Sequence, residues 1–201
     1  MDKFSYALGM SMAQSLAQSG ITNIEFDDFA AAVKDFLTGQ KPALELDEAN
    51  RILDEFFEKM QAAEKEKIAE LSKVMKEEGE KFLAENAKKE GVVVLPSGLQ
   101  YKVITEGTGR KAKATDTVNC DYEGRFISGN VFDSSYQRGH AAEFGVNQVI
   151  KGWTAALQLM PEGSKWELYI PYDLAYGEQG AGAAIPPFAT LIFTVEVHKV
   201  L

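Results

Sequence analysis

The sequence predicts a two-part chain: an all-α N-terminal module with a long linker helix, then an α+β domain of short antiparallel strands with one short helix tucked against them. Three observations predict this. Composition changes near residue 90, beyond which lie 13 of the 17 glycines, five of the six prolines and both tryptophans. Before that point Ala, Glu, Lys and Leu recur at helical spacing; after it apolar residues alternate between turn signals. The stretch Gly145–Trp153 runs from extended apolar residues through Gly152 into a helix that Pro161 must stop. The expected bounds are a helical module over 1–46, a long helix over 47–90 and the α+β domain over 91–201.

The first helix is expected from Lys3 to Gln18, ending before Gly20. It is apolar nearly all round (Phe4, Tyr6, Leu8, Met10, Met12, Leu16), and Ser5, Gly9, Ala13 and Ala17 form a row of small side chains. A helix without a polar face needs cover on all sides. The second runs from about Phe26 to Thr38, with Asp27 and Asp28 in its first turn and Gly39 past its end. Two helices cannot bury this much apolar surface alone, so a second copy is the expected cover: a homodimer through residues 1–60.

Asp47 is expected to cap the third helix, which meets no breaker stronger than Gly79 before Gly91. About 40 residues at ~1.5 Å each give a rod of roughly 60 Å. Leu53, Phe56, Phe57 and Met60 belong with the helical module. Further on the stripe thins to Ile68, Leu71, Met75 and Phe82 among Glu and Lys at pairing distance, the pattern of a solvated spacer arm rather than a coiled coil.

Strands follow. Leu99, Tyr101 and Val103 alternate before a Gly-rich turn, Val118, Cys120 and Tyr122 before Gly124, Trp166, Leu168 and Ile170 before Pro171, and Leu191, Phe193, Val195 and Val197 after the last prolines. Between them the helix opened by Trp153 carries Leu157 and Met160 on the same face.

The net charge is −9, with 12 Lys/Arg against 19 Asp/Glu over residues 1–90 and 9 against 11 beyond. There is no basic stripe, which argues against nucleic acid or an anionic membrane surface as partner. Cys120 is the single cysteine, so no internal disulfide forms. No run of ~18 apolar residues offers a membrane span. Met1-Asp2-Lys3 does not open a signal peptide, so the cytoplasm is expected, with periplasm or cell surface as the alternative if a leader was removed.

On the inward faces and loop mouths of the second part stand Tyr122, Phe132, Asp133, Phe144, Val149, Ile150, Trp153, Tyr176, Ile185 and Phe193. The set holds one carboxylate and two phenols, without a nucleophile–base pair or metal ligands, and calls for no cofactor. Gly177, Gly180 and Gly182 precede Ile185-Pro186-Pro187 and a strand, so they make a flap rather than a phosphate-binding turn. His140 and His198 are expected in solvent and Cys120 in the core.

Four ordered motifs, Val131-Phe132-Asp133-Ser134-Ser135, Val149-Ile150-Lys151-Gly152-Trp153, Ala175-Tyr176-Gly177 and Ile185-Pro186-Pro187-Phe188-Ala189-Thr190-Leu191, resemble the FKBP family of peptidyl-prolyl isomerases. The resemblance covers about residues 91–201, and the helical half with its long arm is similar to the Mip-like bacterial branch. It implies an FKBP-like domain, a twisted antiparallel sheet wrapped around one short helix, that isomerises Xaa-Pro bonds and acts as a folding chaperone. On that resemblance Trp153 is the floor for the proline ring, walled by Tyr122, Phe132, Val149 and Phe193. Tyr176 offers its hydroxyl and Ile150 its N–H to peptide carbonyls; Asp133 is the polar residue at the pocket side; Phe144 and Ile185 complete the substrate-binding set. Asp133, Tyr176, Trp153 and Phe193 are the expected catalytic group. Proline-containing polypeptides are the expected clients and rapamycin-type macrolides a ligand class. Ala142 in place of a second rim aromatic, and the small apolar flap Ala181–Ala184, depart from the best-known small members.

The physics suits this inventory. An Xaa-Pro bond turns over a barrier of ~18–20 kcal/mol because the planar amide loses resonance. The twisted amide is less polar, so a dry aromatic pocket favours it over the planar form that water solvates. No proton needs to move. A holdase or adaptor that binds proline segments with little turnover is the competing reading.

Overall fold

A computed structural model describes all residues, 1–201. The chain forms two compact units, Met1–Gln61 and Ala62–Leu201. In the first unit α1 spans Lys3–Gln18, capped by Asp2, whose Oδ1 accepts from the Ser5 N–H at 2.8 Å. Helix α2 spans Phe26–Thr38 and ends at Gly39, held at φ 69°, whose N–H bonds the Asp35 carbonyl. Neither α1 nor α2 has a buried residue. Phe4, Phe26, Phe36 and Leu37 are each more than 70% exposed (77%, 73%, 75% and 78%). The apolar surface anticipated for this module is therefore present and uncovered within one chain.

Helix α3 spans Leu46–Asn86. It begins one residue earlier than expected, so Asp47 is not its cap. Asp47 and Glu48 sit in the first turn, where the helix dipole favours carboxylates.

The second unit holds the rest of α3 and a seven-stranded antiparallel sheet: β1 (Val92–Val94), β2 (Gln100–Thr105), β3 (Thr117–Phe126), β4 (Val131–Ser134), β5 (Ala142–Gly145), β6 (Lys165–Ile170) and β7 (Leu191–Val200). The order is β1-β2-β6-β7-β3-β4, with β5 also on β3. Two helices interrupt it, α4 (Ser135–Arg138) and α5 (Lys151–Leu157). On β3 the burial alternates as the sequence predicts, with Val118, Cys120, Tyr122 and Gly124 inward. These residues, with Leu168, Ile170, Leu191, Phe193 and Val195 from the other strands, close over Trp153, Ala156 and Leu157 of α5 in a single core. Helix α5 stops at Leu157, well before Pro161; Met160 lies in the following turn, still fully buried.

Exposure along α3 changes partway. Residues 61–71 are exposed throughout, Ile68 and Leu71 included. From Ser72 onward an inward stripe appears at Ser72, Met75, Gly79, Phe82, Leu83 and Asn86, and α3 lies on the outer side of the sheet. Phe82 packs on Tyr169 (ring centroids 6.1 Å), and Gln100 Nε2 donates to the Leu83 carbonyl at 2.8 Å. Asn86 Nδ2 donates to Gln100 Oε1 at 3.0 Å. This cover explains why Tyr169 is as buried as its inward-facing neighbours Leu168 and Ile170.

Candidate active site

Helix α5 begins where Ile150, extended at φ −58° and ψ 151°, turns the chain into its first turn. That turn carries Trp153 onto the floor of a cavity of about 280 Å³. Gly152 makes the placement possible, since a Cβ there would lie 2.5 Å from Ile170 Cγ2 on β6. Three rings meet the indole edge to face: Tyr122 at 5.3 Å and 87°, Phe144 at 5.5 Å and 82°, Phe193 at 5.3 Å and 86°. Such near-perpendicular contacts are favoured by the ring quadrupoles and fix the walls upright. The Trp153 Nε1–H, buried among these rings, has no hydrogen-bond partner.

Seven of the ten anticipated residues line the cavity: Tyr122, Phe144, Val149, Ile150, Trp153, Tyr176 and Phe193. Phe132 stands behind the wall, edge to face with Phe193 at 5.6 Å. Gly124 makes room for both rings, since its Cβ would lie 2.6 Å from Phe193 and 2.7 Å from Phe132. Ile185 is buried below the flap, where its N–H and carbonyl pair with Ala181. Neither is among the residues that line the cavity.

Asp133 sits at the side, behind Tyr122. The Tyr122 hydroxyl donates to Asp133 Oδ2 at 2.6 Å, and Arg138 binds both, through Nη1 to Asp133 Oδ1 and through Nη2 to the Tyr122 oxygen at 2.8 Å. The guanidinium also lies over the Tyr122 ring, 5.4 Å from its centre. One turn of helix builds this. Ser134 caps α4, and the turn returns Arg138 to Asp133 before Gly139 at φ 77° ends it. Burial, reinforced by the bond to Asp133, raises the Tyr122 pKa above its usual 10.0. Burial and the Asp133 charge raise that of Tyr176. Both phenols are therefore neutral at physiological pH.

Two donors at the cavity are unused. The Ile150 N–H and the Tyr176 hydroxyl make no hydrogen bond within the chain. The histidines lie elsewhere, His140 exposed and His198 paired with Asp121 on the outer face at 2.8 Å. The arrangement is thus an apolar, aromatic cup with two free donors and one carboxylate held from behind.

Sequence reasoning did not find Gln148 or Arg138. Gln148 lines the cavity from the segment before Val149. Its signal was an uncharged polar residue set directly beside the apolar Val149-Ile150 pair. Arg138, five residues after Asp133, was legible as the only cation within reach of that carboxylate along the local chain.

Comparison with known proteins agrees with this geometry. Residues 108–198 match the family described as FKBP-type peptidyl-prolyl cis-trans isomerase. Residues 1–103 match the domain amino terminal to FKBP-type peptidyl-prolyl isomerase. The chain is 48% identical over 197 residues to the FKBP-type 22 kDa peptidyl-prolyl cis-trans isomerase of Escherichia coli, covering 98% of this chain and 94% of that one. It is 42% identical to the outer membrane protein MIP of Legionella longbeachae, over 99% of this chain and 85% of the relative. The crystal structure of FkpA from Escherichia coli superposes with a TM-score of 0.77 at 33% identity, covering 98% of this chain and 95% of that one. With its helical and sheet halves both matched, and an aromatic cup where the motifs place it, this chain belongs to the FKBP-type peptidyl-prolyl cis-trans isomerases, on the FkpA and Mip-like side of the family.

Proposed function

We propose that the cup takes the proline ring of a polypeptide client over Trp153, between Tyr122, Phe144, Val149 and Phe193. The observation that carries this is the pairing of an apolar cup with two unused donors, Ile150 N–H and Tyr176 OH, at its mouth. A cavity of about 280 Å³ accepts a ring and little more, being at the small end of ligand sites, about 300–1,000 Å³. The donors hold carbonyls flanking the Xaa-Pro bond while the apolar walls favour the twisted amide over the planar one. Asp133 acts through Tyr122, fixing the ring that forms the wall. Phe132 supports Phe193 and Ile185 supports the flap. Rapamycin-type macrolides compete for the same cup.

The uncovered apolar surface of residues 1–60 supports a homodimer. Two cups per dimer engage one unfolded client at two points, which raises effective concentration and gives chaperone action. The relative named outer membrane protein MIP favours the periplasm or cell surface over the cytoplasm. No helix of the chain is long and apolar enough to cross a membrane.

A protease-coupled isomerisation assay on short Xaa-Pro-Phe peptides, with Leu or Glu before proline, tests the cup. Fast turnover that favours Leu and is blocked by rapamycin is expected. A folded dimer without turnover would overturn this assignment and leave a holder of proline segments. Sedimentation of the full chain tests the dimer: twice the chain mass is expected, falling to one chain mass in Leu37→Glu. A monomeric wild type that captures unfolded client on residues 1–60 would instead assign that surface to clients.

A further inference from the structure

We infer that the docked half of α3 positions the flap and, through it, Tyr176, so that Gly79 and Lys76 are positioning residues for the cup. This rests on the reading of Tyr176 as a donor to the client. The flap runs from Gly177 to Ala189 and closes at its base, where the Phe188 N–H bonds the Gly177 carbonyl at 3.0 Å. Phe188 is the one non-glycine residue with positive φ, at 58°. A bulky residue persists in that region only when its surroundings hold it there. They are visible here. The Phe188 ring packs on Tyr172 at 5.0 Å, and Lys76 of α3 lies over both rings, 5.9 Å from Tyr172 and 6.0 Å from Phe188.

Tyr172 carries the link onward. Its carbonyl accepts from Ala175 N at 3.0 Å and from Gly177 N at 2.8 Å, the two residues that flank Tyr176. One turn further along α3, Gly79 is buried with its backbone directly on Thr190, two residues past Phe188. A Cβ at 79 would collide with Thr190 Oγ1 and lie 3.1 Å from Thr190 Cβ. Glycine here is therefore a contact, not a break in the helix. A helix at this distance fixes both ends of the Phe188–Thr190 segment, and a helix pushed outward releases them.

Gly79→Ala separates this from a plain effect on folding, because alanine is the better helix former. It strengthens α3 while prying it off Thr190. In full-length protein we expect kcat/KM on a short Leu-Pro peptide to fall about fivefold. Amide exchange at Gly177, Ala181, Ile185 and Phe188 should rise by about the same factor, with β3 and β7 amides unchanged. Gly79→Ala/Thr190→Ala, which removes the colliding oxygen, should recover within about twofold of Thr190→Ala alone. Lys76→Ala, on an exposed helix surface, should loosen the same flap amides about twofold without the backbone clash. Unchanged flap exchange and kcat/KM in both Gly79→Ala and Lys76→Ala would overturn the coupling. Tyr176→Phe distinguishes the two levels. If it leaves kcat/KM untouched, the donor reading fails. If it lowers kcat/KM while Gly79→Ala and Lys76→Ala do not, only the coupling fails.

Discussion

Tyr122 and Asp133 share a 2.6 Å hydrogen bond that is closed from the solvent side by Arg138. The bond joins adjacent strands, β3 and β4, at the point where Tyr122 also meets Trp153 edge to face. Removing the hydroxyl alone, in Tyr122→Phe, keeps the wall and frees its orientation. A hydrogen bond to a charged group contributes about 1.5–3 kcal/mol when shielded; with Asp133 and Arg138 partly solvated, about 1 kcal/mol of stability is expected to go. Denaturant titration reads that loss, and kcat/KM should drop about three- to tenfold as the wall loses its fixed angle. An unchanged kcat/KM would mean the ring is held by packing alone.

Gly152→Ala should damage the floor. The added methyl meets Ile170 Cγ2 at 2.5 Å and Cδ1 at 3.0 Å, so α5 must move off β6 or Ile170 must leave its rotamer. Overpacking of this kind costs about 1–3 kcal/mol. For a chain of this size each 1 kcal/mol lowers Tm by about 2–4 °C. Calorimetry measures it, and intrinsic fluorescence of Trp153 should shift in the same variant.

The pH profile of turnover should be flat from about pH 6 to 9, because no group in the cup has to gain or lose a proton there. In its proposed role Tyr176 keeps its proton to donate. Burial raises its pKa above 10.0, so activity falls only on the alkaline side of that value. A bell centred near neutrality would point to an acid–base step.

Stability has its own acid limb. Asp121 is held below its usual 3.8, first by the Ser135 hydroxyl and then by His198, and Lys165 lowers Glu196 below 4.5. Groups depressed in the folded state add stability above their unfolded values. That contribution disappears as pH falls from about 4.5 through the folded values. The urea midpoint should therefore decline below pH 4.5, and Asp121→Asn should flatten part of the decline.

Cys120 is fully buried, and burial pushes its thiol pKa up to about 12. A thiolate is the reactive form, so an aromatic disulfide reagent should leave native protein untouched and label one thiol per chain after unfolding. Rapid labelling of the native state would mean that β3 opens locally.

Much of this was legible along the chain, for identifiable reasons. The β3 alternation of Val118, Cys120 and Tyr122 is a local pattern with one solution, and so is the break at Gly152 before Trp153. Of the seven cavity residues, Val149, Ile150, Trp153 and Tyr176 were found because their motifs keep a fixed order, and Tyr122, Phe144 and Phe193 as aromatics on inward faces and loop mouths. A motif names Phe132 and Ile185 without saying how each sits: Phe132 meets Phe193 edge to face, and Ile185 pairs with Ala181. Arg138 escaped because its role depends on one turn of helix returning it to Asp133. Along α3, Gly79 reads as a weak point, yet it is buried against Thr190. Periodicity shows that a helix has a stripe; what the stripe rests on is settled by β2 and β6, through Gln100 and Tyr169, which local pattern cannot place.

Strand β7 lies between β6 and β3, which do not touch each other. It is the last of the seven to be synthesised, and it supplies one whole side of the longest pairing in the sheet, from Val118 to Phe126 on β3. Until residues 191–200 are made, β3 and β6 each present an open edge, the condition in which strands recruit foreign partners. The N-terminal helices, whose bonds are local, can form long before. Nascent chains exposing only residues 1–190 should thus remain protease-sensitive beyond residue 90, and those exposing residues 1–200 should become resistant. A prolyl isomerase is itself made with its central strand arriving last.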